Sequence, residues 1–184
     1  MNDRARQFEA VAMPHLDAAY NLARWLVRDE HAADDVVQEA FLRALRYFGS
    51  FRGDDPKPWL LGIVRNTCFT WLRDNRGAAQ MLDYDEELDV DLREPGIEPR
   101  PDNPEYLLSA KQESTRLNAA IAQLSPVFRE VIILRELEEL AYGDIARIAG
   151  IPLGTVMSRL SRARSLLRAA VLQETKGTSD EPAR

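Results

Sequence analysis

Between Asp83 and Glu105 the chain carries ten acidic residues against only Arg93 and Arg100, and it places Pro95, Pro99, Pro101 and Pro104 among them. Like charges repel, and proline withholds a backbone donor, so this stretch opposes a packed core. It divides the 184 residues into a first domain over 1–77, a flexible acidic linker over 78–104 and a second domain over 105–184. Apolar residues make up 45% of the sequence, enough for cores on either side. The linker's charge and prolines predict two domains that tumble semi-independently.

Both pieces read as helical. In the first, a helix is expected over Leu16–Val27, with Pro14 tolerable at its first turn. Val37, Phe41, Ala44, Leu45 and Phe48 then recur at helical spacing, while Asp35, Gln38, Glu39, Leu42 and Arg46 fall on the opposite face. Gly49 and Gly53 bracket a break, and Pro56 and Pro58 lead into a helix from Trp59 to Arg76. In the second piece helices are expected over Glu105–Gln123, Val127–Leu137, Tyr142–Ala149 and Pro152–Leu172. No segment sustains a period of two and no fixed repeat recurs, so the fold class is all-α.

The formal net charge of -6 argues against a nucleic-acid binder only if charge is spread evenly. It is not. Gly154 to Ala170 holds Arg159, Arg162, Arg164 and Arg168 and no acid. This basic helix follows Tyr142–Gly150, and the pair reads as a helix-turn-helix. Ala146 is small where two helices cross, and Gly150 suits a turn that needs positive φ. Ile145, Ala149, Ile151 and Val156 fill a small core. Pro152 is able to open the second helix. Val156, Leu160, Ala163 and Leu167 share its buried face; Gly154, Thr155, Met157, Ser158, Ser161, Arg162 and Ser165 point outward. Small, polar and basic side chains suit a major groove, and Arg159 at the flank suits a phosphate. A plain amphipathic helix pair with a solvated arginine face fits the same pattern.

Two features of the first piece need a further account. On the Trp59–Arg76 helix, Leu60, Leu61, Val64, Thr67, Cys68 and Trp71 face one way, and Trp59, Gly62, Asn66, Phe69, Thr70 and Arg73 the other. A stripe mixing aromatics, an amide and arginine suits unpaired DNA, whose bases stack and whose phosphates take guanidinium. Packing of Trp59 and Phe69 on a neighbouring helix is the plain alternative. Asp34 and Asp35 near a helix start are favoured by its dipole. That does not explain the polar face continuing through Gln38, Glu39 and exposed Leu42.

Several blocks in order resemble the extracytoplasmic-function (ECF) sigma factors of the sigma-70 family. Ala32-Ala-Asp-Asp-Val-Val-Gln-Glu-Ala-Phe-Leu-Arg-Ala-Leu-Arg46 resembles the helix that binds core RNA polymerase. Phe48-Gly-Ser-Phe-Arg-Gly53 and Trp59-Leu-Leu-Gly-Ile-Val-Arg-Asn-Thr67 resemble the promoter-melting part of the same domain. Leu124-Ser-Pro-Val-Phe-Arg-Glu-Val-Ile-Ile-Leu-Arg135 resembles the lead-in to the C-terminal sigma domain, and Gly154-Thr-Val-Met-Ser-Arg-Leu-Ser-Arg-Ala-Arg164 its recognition helix. The resemblance covers nearly the whole chain apart from the linker and tails. It implies an alternative sigma factor built from a region 2-like and a region 4-like domain. Asp34, Asp35, Gln38, Glu39, Leu42 and Arg43, with a contribution from Arg46, would dock on the coiled coil of the large polymerase subunit, and the second domain on its flap. Phe51, Trp59, Arg65, Asn66, Phe69 and Arg73 would hold the melted minus-ten strand, with a flipped base captured in the Phe51–Pro58 loop. Gly154, Thr155, Met157, Ser158, Arg159, Ser161 and Arg162 would read the minus-thirty-five duplex. Met157 stands where many relatives carry a basic residue, and Ser161 where many carry an aromatic. The implied partners are core polymerase, promoter DNA and an anti-sigma factor.

No catalytic constellation, phosphate loop or glycine fingerprint is visible, so neither an enzyme nor a cofactor is expected. His15 and His31 sit in no metal-ligand spacing, and Cys68 on an apolar face reads as a small core residue. The polar start, Met1 to Glu9, lacks the apolar stretch of a secretory signal. No apolar run reaches the ~18 residues of a membrane span. A cytoplasmic protein without direct membrane insertion is expected. Two other classes fit parts of the sequence. An ordinary helix-turn-helix regulator would leave the Trp59–Arg73 stripe unexplained. A sigma mimic that titrates an anti-sigma factor would not need Phe69, Arg73 and Arg162.

Overall fold

The computed structural model describes residues 3–53, 55–76 and 104–177, with side chains from 114 onward in the second half and up to 171. The expected linker, apart from residue 104, lies outside them. The described residues form eight α-helices: α1 Asp3–Ala12, α2 Leu16–Val27, α3 Glu30–Tyr47, α4 Pro56–Arg76, α5 Pro104–Gln123, α6 Pro126–Ile132, α7 Tyr142–Ala149 and α8 Leu153–Gly177.

The ends of these helices follow local chemistry. Arg28 takes a left-handed conformation (φ 58°) and returns its N–H to the Arg24 carbonyl, which closes α2. Asp29 then caps α3 by accepting from the Ala32 N–H at 2.8 Å. Asp34 and Asp35 therefore lie one turn inside α3 rather than at its start. The Asp55 carboxylate accepts from the Lys57 N–H at 3.0 Å, and Pro56 opens α4 three residues before the expected Trp59. The single helix expected over Val127–Leu137 is α6 followed by a π-helical turn over Ile133–Leu137. Pro152 stands just outside α8, its carbonyl accepting from the Val156 N–H at 3.1 Å.

One helix was not expected. In α1 only Phe8 and Ala12 are buried, too few to raise a periodic signal. They join Ala44 and Leu60 in a small core flanked by Phe41, Phe48 and Trp59. Arg4 ties α1 to the end of α3, donating to the carbonyls of Leu45 (3.2 Å) and Arg46 (2.9 Å).

The main core corrects the expectation of independently tumbling domains. Leu22, Leu26, Leu61, Val64 and Cys68 of the first half lie in one continuous core with Phe128, Val131, Ile132, Ile145 and Ile148 of the second. The linker's charge keeps the linker out of a core but does not stop the halves from meeting. Helices α2 and α4 offer an apolar face that α6 and α7 cover, and burial favours closure by about 25 cal/mol per Å². Polar bonds edge the contact. Asn21 donates to the Glu138 carboxylate at 2.9 Å, and the Lys57 ammonium lies 3.0 Å from the same carboxylate.

Candidate nucleic-acid interface

The helix-turn-helix forms as its residues dictate. Gly150 adopts φ 67°, and the Ile151 N–H reaches back to the Ala146 carbonyl at 3.1 Å. Val156, Leu160 and Ala163 are fully or almost fully buried, and Leu167 packs beside them. Of the expected duplex-reading residues, Gly154, Met157 and Ser158 are exposed, whereas Thr155, Ser161 and Arg162 are half-buried. Arg164 is held by Glu136 at 2.7 Å, and that hydrogen bond pushes its guanidinium further toward the charged form.

Arg159 departs from the expected flank position. Its side chain is only 13% exposed and its Nη1 lies 3.4 Å from Oε1 of Glu130. Glu130 is fully buried, and the same carboxylate takes Arg65 of α4: Nε donates to Oε2 at 2.7 Å and Nη2 to Oε1 at 3.3 Å. Burial pushes the Glu130 carboxyl above its ordinary range, against the pull of the Arg65 hydrogen bond and the charges of both arginines. One carboxylate thus gathers a guanidinium from each of the two expected DNA-reading sets.

Its neighbour Arg129 is also buried. Its guanidinium donates to the carbonyls of Ile121 (3.1 Å), Ala122 (2.9 Å) and Leu124 at the end of α5. It also donates to those of Trp25 (2.9 Å) and Leu26 (3.4 Å) in the last turn of α2. A cation between two helix C-termini satisfies carbonyls that no intrahelical N–H reaches and complements both dipoles. Sequence reasoning passed over both residues. The available signal was two opposite charges, Arg129 and Glu130, breaking the apolar run from Val127 to Leu134.

The expected single-strand stripe divides. Asn66 and Arg73 are exposed, and Arg73 pairs with Asp74 at 3.2 Å. Trp59 and Phe69 are half-buried. Trp59 packs on the smaller core with its ring centroid 4.9 Å from that of Phe51, and Phe48 lies 6.4 Å from both. Phe69 packs against the main core beneath Arg65. On α3, Asp34, Asp35, Gln38, Glu39 and Leu42 form an exposed face, with Leu42 55% exposed. Half-buried Arg43 pairs with Glu39 at 2.6 Å.

Cys68 is buried, and loss of solvation pushes its thiol up to about 12. Among the described residues no group of three or more His, Cys, Asp or Glu is placed to hold a metal ion. No described helix is long and apolar enough to cross a membrane.

Comparison with known proteins agrees with this arrangement. Residues 11–78 match the sigma-70 region 2 family and residues 114–167 the sigma-70 region 4 family. The ECF RNA polymerase sigma factor SigE of Mycolicibacterium smegmatis is 31% identical over 94% of this chain, which spans 64% of that protein's length. The RNA polymerase sigma-H factor of Pseudomonas aeruginosa is 33% identical, with 90% of this chain and 86% of that protein covered. The ECF sigma-E factor of Escherichia coli K12 is 37% identical, covering 72% of this chain and 70% of its own. Among solved structures, the sigma factor RpoE of Bartonella quintana, crystallised with the anti-sigma factor NepR, superposes with a TM-score of 0.66 at 29% identity over 90% of this chain and 97% of that one. With region 2 and region 4 both matched in order and relatives of this kind across most of its length, the chain belongs to the sigma-70 family and is an alternative sigma factor of the ECF type, directing promoter-specific transcription.

Proposed function

We propose that the exposed α3 face is the surface that docks on core RNA polymerase. Asp34, Asp35, Gln38, Glu39, Leu42 and Arg43 carry it, and the large-subunit coiled coil is its counterpart. The observation behind this is Leu42. A leucine 55% exposed in the middle of an acidic helical face gains nothing from water. It gains from a partner that supplies an apolar contact ringed by charge. The second domain would meet the polymerase flap. Gly154, Thr155, Met157, Ser158, Arg159, Ser161 and Arg162 serve minus-thirty-five recognition, and Phe51, Trp59, Arg65, Asn66, Phe69 and Arg73 serve the melted minus-ten strand. The bond-making chemistry belongs to the polymerase, so the chain acts as a binding subunit rather than an enzyme, in the bacterial cytoplasm. An anti-sigma factor is expected as a further partner, by analogy with the Bartonella quintana protein and its NepR.

The docking reading is tested with Asp35→Ala combined with Glu39→Ala. Both positions are exposed and bury nothing, so helical content should stay unchanged. Retention of core polymerase in a pull-down should fall. Undiminished retention by the folded variant would remove α3 from the docking surface.

A further inference from the structure

We infer that the described arrangement is self-inhibited: Arg129 and Glu130 of α6 latch the second domain onto the first and withdraw Arg65 and Arg159 from DNA. The inference rests on the proposal that these two arginines serve promoter contact. The geometry beneath it is independent of that proposal. Arg129 reaches across to Trp25 and Leu26, so α6 grips the end of α2. Glu130 grips Arg65 of α4 and Arg159 of α8 at once. The two arginine side chains are left 17% and 13% exposed, too little to meet a phosphate or a base edge. At the rim, Glu138 adds bonds to Asn21 and Lys57. The α3 face lies outside this contact and stays exposed. A closed molecule thus keeps its polymerase-docking face available while both DNA-reading sets are incomplete. Release of the latch upon docking would couple DNA reading to assembly. DNA competes with the closed form, so the free chain binds DNA more weakly in proportion to its open fraction.

The test uses the full chain with dyes on Asp17→Cys of α2 and Arg147→Cys of α7, both exposed positions. Cys68 is buried and protonated and takes no label. Glu130→Gln keeps the shape and removes the charge that holds two arginines. Energy transfer between the dyes should fall. Binding to a short fluorescein-tagged single-stranded oligonucleotide should tighten about tenfold if roughly a tenth of the wild-type protein is open. Adding Arg65→Ala should cancel that gain. If Glu130→Gln does not fold, Glu138→Lys sets two ammonium groups against each other at the rim and should give the same two changes. Unchanged energy transfer in the folded variant overturns the latch. A fall in transfer with no gain in DNA binding overturns self-inhibition and the DNA role of the two arginines, while leaving the α3 docking reading to its own pull-down.

Discussion

The guanidinium carbon of Arg65 lies 4.0 Å from the centroid of the Phe69 ring, so the chain's own cation covers an aromatic face that would otherwise be open to a base. The same guanidinium is the better-placed of the two partners of Glu130. Replacing it therefore exposes one group and orphans another.

Arg65→Ala should destabilise the fold by about 3–5 kcal/mol, because a buried carboxylate loses its principal counter-charge. Burial already pushes that carboxyl upward, and the variant removes the hydrogen bond opposing the shift. The orphaned group then takes up a proton more readily in the folded than in the unfolded chain. A carboxyl with a raised folded pKa loses stability as pH rises from its ordinary range through the raised one. The deficit should be smaller near pH 5 than near pH 8. Urea denaturation of both proteins at the two pH values checks this, and an equal deficit at both would mean that Arg159 or water has replaced Arg65.

Gly150→Ala isolates the backbone of the turn. A Cβ there meets no atom within 4 Å, so sterics with neighbours are absent and the φ of 67° is the whole penalty. A left-handed conformation costs a non-glycine residue about 1–2 kcal/mol. For a protein of this size that is a fall in Tm of about 2–8 °C. Thermal melting followed by circular dichroism measures it, and an unchanged Tm would mean that the turn relaxes.

Cys68 should be inert in the folded protein. With its thiol pushed up to about 12, only about one molecule in ten thousand carries a thiolate at pH 8, and the side chain is buried besides. Ellman's reagent should give no signal until denaturant is added, then one equivalent. Rapid native reaction would reveal opening of the shared core.

Much of this was legible in the residues. Tyr142–Ala149 and Leu16–Val27 have the predicted bounds because periodic apolar positions end at αL-competent or proline-flanked breaks. The inward set Val156, Leu160 and Ala163 followed from 100° per residue. The half-burial of Trp59 did not, because its neighbours Phe48 and Phe51 come from another element and α1 supplies Phe8 beneath them. The burial of Arg65 and Arg159 was equally hidden. An arginine on an outward helical face looks solvated until another domain brings Glu130 to it, and no local pattern encodes that meeting.

Arg162 is expected to contribute to duplex recognition from its half-buried place on α8. Arg162→Ala should cost about 1–3 kcal/mol of discrimination between promoter and unrelated DNA if it reads a base. If it meets only phosphate, all sequences should weaken alike and the salt slope should drop by about one. Holoenzyme titration on both DNAs at several salt concentrations separates these outcomes. Identical affinities to wild type would remove Arg162 from the duplex contact.

Promoter opening puts the sharpest demand on the α4 surface. Phe69 lies under Arg65, and Asn66 accepts from Arg65 Nη1 at 3.3 Å, so both become available to DNA only when that arginine swings away. Stacking on an aromatic is worth about 1–3 kcal/mol per base, but only after the base has left the duplex. The pair should therefore favour the melted strand over its paired form. Asn66→Ala with Phe69→Ala should leave polymerase binding intact, since neither lies on the α3 face. Open-complex formation should fall by about tenfold or more, taking the lower end of that stacking range. A pre-melted bubble template should restore much of the activity, because the cost of unpairing is already met there. Permanganate reactivity of promoter thymines, compared on duplex and bubble templates, reads both effects. Equal reactivity of wild-type and doubly substituted holoenzyme on duplex DNA would show that melting relies on other residues, with Trp59 and the Phe51 loop the next to substitute.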